Sequence, residues 1–517
     1  MSSTSSWASL AVGLFLFSFS VVALSGPGRI DIDDGQTRFA VAESLREHGD
    51  SIVRDPDVSF FVFPGRHGDR YTMYRFPQSL AGAAAIWLAD VTGRPNESRR
   101  HFFFTLVSAA ASAIVAVIYL AWFSRLGLRP QVAWLWASAG VFCTPTWFYG
   151  TTTYDDILGA AATVGAIALA FVTRRRRALW GAAGSGFLLG LAFNCKQPLA
   201  CFLLPALAAS YDDTRPLRSQ LGRYTLIVSG ICAGMAAYWL YDHHKFPADV
   251  RKVRDALLLA GYVPNFPGNP VAGFLSLAIS PNAGAIWYCP TLLLSFRGFA
   301  CWRQRERWFC FAVFCAVAAF VAFVSSLRTF KGEWSWGPRY LTPVFALLWI
   351  FAPAGAFRLS RRAVTVILGL GLLVQLAGLS VDPFRLYIER GFSAAFYFDQ
   401  PWINFDARIS HLLNRPREIA EILMAKDEGV QDFSPARSPT FFFKVSDFEP
   451  KGRPAIARYS VLSSFRPWWI SQRRLPPSLR PVALSSAVSF LLGSALAGLI
   501  LSVVGWRTLE TPSRRMP

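Results

Sequence analysis

Four groups of polar residues interrupt the apolar runs of this sequence, and their types suit chemistry on a phosphate and a hydroxyl group. They are Asp31, Asp33 and Asp34; Asp155 and Asp156; Lys196; and the segment FKGEWSWGPRYLTP at 330–343. A carboxylate pair can deprotonate a hydroxyl or hold a divalent cation. A lysine and an arginine can bind a phosphate, the arginine through two parallel hydrogen bonds. Together they suit a substrate that is part lipid and part polar.

Aromatic and further polar residues accompany these groups. Tyr340 follows Arg339 directly, and Glu333 lies in the same segment. Trp334, Trp336 and Tyr288 offer faces that can stack on a sugar or lie at a membrane interface. We therefore predict contacts to an acceptor or a sugar from Asp156, Glu333, Trp334, Trp336 and Tyr288, and phosphate contacts from Lys196, Arg339 and Tyr340.

The composition requires a membrane to hold these residues. The chain has 517 residues, 53% of them hydrophobic and only 16% charged, whereas a soluble domain has about a quarter charged residues. Several runs of about 18 or more apolar residues indicate a polytopic membrane protein. The net charge of +20 comes from arginines in the short links between runs, which is a topology signal and not a nucleic-acid patch. The eight cysteines show neither CxxC nor zinc-site spacing, which disfavours a thiolate metal site.

The basic links predict an all-α fold of about twelve transmembrane helices with both termini in the cytoplasm. The run 179–210 is twice the length of one span, so we expect a hairpin whose apex at Asn194–Pro198 recesses Lys196 below the outer surface. The run 79–92 is too short to span and is predicted to be an interfacial or re-entrant helix. All four polar groups then lie on the outer side, where charges are costly and function is the default expectation.

Each candidate also has a purely structural alternative. Asp33 or Asp34 could cap the helix that follows, and Asp155 or Asp156 could cap the next apolar helix. Lys196 could extend its ammonium to the interface, and Arg339 could be an interfacial anchor.

Several of these segments resemble the GT-C superfamily of polytopic glycosyltransferases, which includes the protein O-mannosyltransferases and the lipid A aminoarabinose transferases. The first external loop of the superfamily has an Asp-Glu pair, a small residue, a Leu and a closing Gly-Asp. In DDGQTRFAVAESLREHGD (33–50), aligning Ala42, Leu45 and Gly49-Asp50 puts Asp34 at the catalytic Asp, with Gly35 in place of the Glu. Further resemblances are YRFPQSLAGAAAIWLADVTG (74–93), FNCKQPLACFLLP (193–205), AISPNAGAIWYCP (278–290) and WGPRYLTP (336–343).

The resemblance covers residues 1–380 and implies an inverting transferase that uses a polyprenyl-phosphate sugar. It implies that Asp34, or Asp33, is the general base and that Asp155 orients the acceptor or a cation. It implies that Lys196 and Arg339 stabilise the departing lipid phosphate. Whether Asp34 and Asp155 hold a divalent cation is left open, as is the identity of the sugar.

The predicted organisation has three parts. Residues 1–381 form the transmembrane catalytic module, with an external loop at 26–101; 382–481 form an extracytoplasmic segment, either a small α+β cap or an interfacial flap; 482–517 form the last helix and a cytoplasmic tail. The resemblance implies a multi-pass protein of the bacterial inner membrane that glycosylates an envelope glycan, lipid or protein. The alternatives are a transporter or flippase of a lipid-linked saccharide, or a catalytically inactive scaffold.

Overall fold

The computed structural model describes most of the chain. The described residues are 3–30, 32–56, 58, 61–93, 96–175, 179–252, 268–332, 335–389, 401–424, 464–474 and 482–510. Asp31, Glu333 and Trp334 therefore lie outside the described residues, as does most of the predicted extracytoplasmic segment 382–481.

Eight helical segments among the described residues are long and apolar enough to cross a membrane. They are α1 (Ser3–Ser25), α4 (Glu97–Arg125), α7 (Asp156–Thr173), α10 (Leu217–Lys245), α14 (Arg307–Ser325), the segment Arg339–Ala356 that contains α15 (Thr342–Leu348) and α16 (Ala352–Ala356), α17 (Arg361–Ser380) and α21 (Leu484–Glu510). The prediction of an all-α polytopic chain is confirmed for these residues.

The remaining apolar runs form shorter helices. These are α5 (Pro130–Phe142) and α6 (Thr146–Gly150); α8 (Trp180–Cys195) and α9 (Leu203–Ser210); and α11 (Pro270–Ile279), α12 (Ala285–Tyr288) and α13 (Leu292–Trp302). Pro145 separates α5 from α6, as expected of a residue that lacks a backbone N–H.

The predicted hairpin in 179–210 is present. The helix α8 ends at Cys195, Lys196 is extended at φ −146° and ψ 120°, and a 3-10 turn follows at Gln197–Phe202. Small residues bring α8 and α10 together: a Cβ added to Gly190 would lie 2.8 Å from the Gly230 carbonyl oxygen. Close backbone approach of this kind is how helices associate in a bilayer. It fixes the end of α8, and Lys196 with it, against its neighbours.

The first polar segment folds over one end of the bundle, which we call the polar end. It contains α2 (Asp33–Glu47), a hairpin of β1 (Val62–Pro64) and β2 (Arg70–Thr72), and α3 (Phe76–Val91). Arg100 at the start of α4 joins them, with 2.9 Å to Glu43, 2.6 Å to Glu47 and 2.8 Å to Asp90. The helix α3 has 16 residues and leaves apolar side chains such as Trp87 exposed, in keeping with a helix at an interface.

The C-terminal part of the chain returns to the polar end. It includes α18 (Phe384–Glu389), α19 (His411–Leu423) and α20 (Trp468–Ser471). The Trp468 backbone N–H donates to the Gly26 carbonyl, and Arg29 pairs with Asp382 at 2.5 Å with both side chains buried. These contacts pack the described pieces of the segment against the residues that follow α1. The division of the chain at 381 and 482 stays a prediction.

Candidate active site

Three carboxylates and three cations alternate at the polar end, and we call this arrangement the charge chain (Asp34, Arg38, Asp155, Lys196, Asp156, Arg339). Arg38 Nη1 lies 3.9 Å from Asp34 Oδ2, and Arg38 Nη2 donates to Asp155 Oδ2 at 3.1 Å. The sequence-predicted carboxylates at 34 and 155, which are far apart in sequence, therefore share one guanidinium.

The other half of the charge chain contains the predicted phosphate ligands. Lys196 Nζ donates to Asp156 Oδ1 and lies 3.9 Å from Asp155 Oδ1. Arg339 Nε lies 3.6 Å from Asp156 Oδ2. Asp156, which the sequence assigned to the acceptor, thus lies between the two cations that were assigned to the donor phosphate.

Four separate elements supply these side chains. Asp34 and Arg38 are one turn apart on α2, so both lie on one face of that helix. Asp155 and Asp156 stand where α7 begins, Lys196 where α8 breaks, and Arg339 in a short 3-10 turn before α15. The convergence of the polar groups that the sequence predicted is therefore observed, and it depends on helix ends that meet.

Helix capping does not account for the carboxylates. The N-cap of α2 is Ile32, and Asp155, the N-cap of α7, makes no side-chain capping bond. Instead, Asp34 accepts from Tyr74 and lies near Arg38 of its own helix, and Asp155 accepts from Arg38. Asp33 lies in the first turn of α2, where its carbonyl accepts from Thr37 Oγ1 at 3.0 Å; a catalytic role for Asp33 stays a prediction.

Tyrosine rings line the charge chain. The Tyr74 hydroxyl donates to Asp34 Oδ1 at 2.5 Å, and the Arg38 guanidinium carbon lies 4.0 Å from the centre of the Tyr74 ring. Lys196 Nζ lies 4.4 Å from the centre of the Tyr340 ring. The Arg339 guanidinium stacks on Tyr154 at 3.8 Å. Aromatic faces hold the cations in place by cation–π attraction without neutralising them.

Accessibility distinguishes the members of the charge chain. The Asp34 side chain is 21% exposed, that of Lys196 is 20% exposed and that of Asp155 is 14% exposed. Asp156, Arg38 and Arg339 are at 1%, 4% and 9%. A ligand that approaches the site therefore meets one carboxylate and one ammonium first, with the other charges behind them.

The charges control the protonation of groups next to the spans. Burial lowers the pKa of Arg38, but Asp155 and Asp34 outweigh it and the pKa lies above its ordinary value. Burial raises the pKa of Tyr74 well above its ordinary value, and the charge of Asp34 raises it further. For Asp155, burial raises the pKa, but Arg38, Lys196, Arg339 and Arg75 together bring it below the usual range. Asp155 is thus held as an anion and Tyr74 as a neutral donor.

The charge chain leaves some of its buried polar atoms without hydrogen bonds from the described residues. These atoms are Arg38 Nη1, Asp156 Oδ2 and Arg339 Nε. Buried polar atoms in native proteins normally have hydrogen-bond partners. Arg38 Nη1 and Arg339 Nε instead make the longer ionic contacts to Asp34 at 3.9 Å and to Asp156 at 3.6 Å.

Gly35, the departure from the superfamily pattern, is explained by packing. A Cβ at this position would lie 2.2 Å from Thr153 Oγ1 and 2.7 Å from Ile30 Cγ2. The Gln78 side chain donates to the Thr153 carbonyl at 2.8 Å and holds that loop in place. A glutamate cannot occupy position 35 unless the loop before α7 moves.

Two of the predicted aromatic residues are buried inside the protein. Tyr288 and Trp336 are completely buried, with ring centres 5.1 Å apart. The Tyr149 hydroxyl donates to the Trp336 carbonyl at 2.6 Å. Because protein atoms surround both rings, stacking on a sugar stays a prediction that requires this packing to open.

Residues that the sequence interpretation missed complete the site: Arg38, Tyr74, Arg75 and Tyr154. The spacing of Asp34 and Arg38, one helical turn, was a usable signal for a pair on α2. No local pattern marks Tyr74, because its partner is 40 residues away.

The described residues contain no group of three or more His, Cys, Asp or Glu side chains arranged to hold a metal ion. Between Asp34 and Asp155, the two carboxylates predicted as metal ligands, lies the guanidinium of Arg38. A divalent cation at this position stays a prediction.

Comparison with solved structures finds two crystal structures of ArnT from Cupriavidus metallidurans. The structure bound to undecaprenyl phosphate matches with a TM-score of 0.46 and 13% identity, over 96% of this chain and 77% of that one. The apo structure matches with a TM-score of 0.44 and 14% identity, over 98% and 78%. No family model and no curated protein matches the chain. A likeness at this level assigns no role to any residue of this chain.

Proposed function

We propose that this protein is an integral-membrane glycosyltransferase that moves a sugar from a polyprenyl-phosphate donor to an acceptor outside the cytoplasm. The observation that supports it best is that an accessible carboxylate, Asp34, and an accessible ammonium, Lys196, belong to one network of charges next to helices that suit a bilayer. An anionic lipid headgroup and a hydroxyl acceptor are the two reactants that such a pair suits.

Lys196 and Arg339 bind the phosphate of the donor. Both cations contact Asp156, so the phosphate oxygens take over contacts that this carboxylate makes. Tyr340 supports this side of the site, since its ring lies beside Lys196 and its hydroxyl accepts from Arg339 Nη2 at 3.3 Å. Positive charge fixed before the reaction stabilises the negative charge that collects on the departing phosphate.

Asp34 is the general base. The acceptor hydroxyl oxygen forms a bond to the anomeric carbon from the face opposite the phosphate. The bond between that carbon and the phosphate oxygen breaks, its electron pair stays on the lipid phosphate, and the acceptor proton passes to Asp34. The configuration at the anomeric carbon inverts. Asp155, which Arg38 and Lys196 keep as an anion, holds these two cations in position.

The site lies on the periplasmic side of a bacterial inner membrane in this proposal, with both termini in the cytoplasm. The acceptor is an envelope glycan, lipid or protein, and 382–481 covers it. A divalent cation, if one acts, binds near Asp34 and Asp155.

The test is transfer of label by the purified protein in lipid nanodiscs. A panel of radiolabelled polyprenyl-phosphate sugars is presented with an envelope extract as acceptor, with and without divalent metal. Wild type is compared with Asp34→Asn and with the control Asp50→Asn. Asp50 is a half-exposed carboxylate of the same loop, and its side chain accepts from Arg54 and from the Ile52 backbone N–H. We expect label to leave one donor in wild type and control, and Asp34→Asn to be slower by at least about a hundredfold.

Two results contradict the proposal. If Asp34→Asn transfers label at the wild-type rate, Asp34 is not the base. If no donor is consumed under any metal condition while labelled lipid still binds, the protein is a transporter or a scaffold for a lipid-linked saccharide.

A further inference from the structure

The hydrogen bond from Tyr74 to Asp34 depends on residues outside the charge chain. Tyr74 follows β2, at the start of the segment that leads into α3. Its backbone N–H donates to Thr72 Oγ1 at 3.1 Å, and its ring makes an edge contact with Phe61 at 5.7 Å. Phe61 itself adopts φ +54°, a conformation that non-glycine residues rarely take and that the surrounding fold must hold.

The C-terminal end of α10 holds this segment through one buried lysine. Lys245 is 1% exposed. Its ammonium donates to the carbonyls of Thr72 at 2.8 Å and of Tyr74 at 3.2 Å. Its own carbonyl accepts from the Arg66 backbone N–H at 3.2 Å, so the same residue also binds the turn of the hairpin.

Aromatic side chains enclose the Lys245 ammonium. It lies 4.1 Å from the centre of the Tyr241 ring and 5.1 Å from that of Phe246. The Phe246 ring also contacts Tyr71 and Phe63 of the two strands. A buried charge is costly unless its hydrogen bonds are made. A neutral side chain would fill the space more cheaply, so the ammonium is best explained by the two carbonyls that it orients.

We propose that Lys245 is a positioning residue for the general base, acting through Tyr74 on Asp34. This inference rests on the proposed function, because it assigns Lys245 to the rate of the step that Asp34 performs. The ammonium fixes the backbone at 72–74, the backbone fixes the direction of the Tyr74 phenol, and the phenol fixes one oxygen of Asp34. The other oxygen of Asp34, near Arg38, stays available to the acceptor.

In this scheme Lys245 acts on the general base and not on the cations that bind the donor, and kinetics can separate these two effects. Loss of the Lys245 ammonium disturbs Asp34 but leaves Lys196 and Arg339 unaltered. The maximal rate therefore falls while the KM for the lipid donor stays constant. Lys245 and Tyr74 act in series, so removal of both has no more effect than removal of one.

The experiment measures transfer of label by wild type, Lys245→Met, Tyr74→Phe and the double variant, each in lipid nanodiscs. The donor is the one that wild type consumes in the panel of labelled polyprenyl-phosphate sugars. Lys252→Met is the control, since Lys252 is exposed and seven residues further along. We expect each single variant to lower kcat about ten- to hundredfold, as for loss of a hydrogen bond to a charged group, with the donor KM within about twofold of wild type. The double variant is expected to match the slower single variant.

The outcomes are distinguishable. If the two single effects multiply in the double variant, if the donor KM rises instead, or if Lys245→Met turns over like wild type, the positioning role is wrong. A wild type that consumes no donor overturns the proposed function and this inference with it. Should Lys245→Met fail to accumulate, Lys245→Gln, which keeps a donor for the carbonyls, replaces it in the same comparison and is expected to lose less rate than Tyr74→Phe. A loss as large as that of Tyr74→Phe would contradict the role.

Discussion

Replacement of Lys196 by methionine separates the binding role of this residue from its structural role. Methionine has similar length and fills the same space, but it has no charge and no N–H donor. Two consequences follow: Asp156 loses its bonded partner, and the donor phosphate loses one of its two cations.

The structural cost is limited by what remains around Asp156. Removal of one partner from a fully buried ion pair costs about 3–5 kcal/mol. Asp156 is 1% exposed, but it keeps Arg339 at 3.6 Å, and Lys196 is itself 20% exposed. We therefore expect a smaller loss, about 1–2 kcal/mol in the free energy of unfolding. Thermal unfolding in detergent would record it as a decrease of a few degrees.

The binding cost comes from the lost contact between an ammonium and a phosphate. Such charge-assisted bonds contribute about 1.5–3 kcal/mol, so the Kd for polyprenyl phosphate is expected to rise about ten- to hundredfold. Titration of the lipid into protein in nanodiscs measures this directly. Lys252→Met, which removes an exposed lysine, is the control and should leave both Kd and Tm unchanged.

A double variant tests the reasoning further. Adding Asp156→Asn to Lys196→Met removes the carboxylate that lost the Lys196 ammonium. The Tm should then recover in part, since Arg339 loses its own contact with Asp156 at 3.6 Å, while the Kd stays weak. If the Kd of Lys196→Met is unchanged within about twofold, Lys196 does not bind the phosphate. If Asp156→Asn restores both quantities, the lysine serves only to neutralise Asp156.

Two further predictions concern α2 and its surroundings. Gly35→Glu introduces the residue that is usual in the GT-C superfamily, yet it is expected to lower the yield of folded protein and not to raise activity, because the Cβ alone would lie 2.2 Å from Thr153 Oγ1. Expression and size-exclusion profiles, compared with those of Gln36→Glu, check this, and a normal profile would refute it. The pKa of Tyr74 is raised in the folded protein. The contribution of Tyr74 to the free energy of unfolding is therefore fully present below about pH 10, the ordinary tyrosine pKa. This contribution is lost as the pH rises from there through the pKa of the folded protein. Chemical unfolding at pH 8 and pH 11 should therefore show a smaller alkaline loss for Tyr74→Phe than for wild type, and equal losses would refute it.

Features that depend on hydrophobicity and chain length were predictable from the sequence. Pro198 and the double length of 179–210 led to a break at Lys196, and the break is where the structure has it. The shortness of 79–92 led to a helix that does not span, and α3 has 16 residues. Both inferences use properties local to one segment, namely the length needed to cross hydrocarbon and the missing N–H of proline.

Contacts between distant segments were not predictable in the same way. Parity of the helices brings Asp34, Asp155 and Lys196 to one end, but it does not say which side chains touch. Arg38 lies between two carboxylates that are 121 positions apart in the sequence, because α2 packs on the start of α7. Gly35 permits this close approach because it has no side chain. Gly35, the departure from the motif, is thus the residue that allows the two halves of the charge chain to come into contact.

The burial of Trp336 and Tyr288 is a second feature that the sequence did not predict. Aromatic residues near a membrane surface commonly lie at the interface or stack on a sugar, and the sequence predicted one of these two roles for both rings. The helix α17 packs closely on Trp336, since a Cβ added to Gly378 would lie 2.7 Å from its ring. The Tyr288 ring in turn packs against that of Trp336. The sequence did not show which of the candidate side chains would stay accessible, as those of Asp34 and Lys196 do.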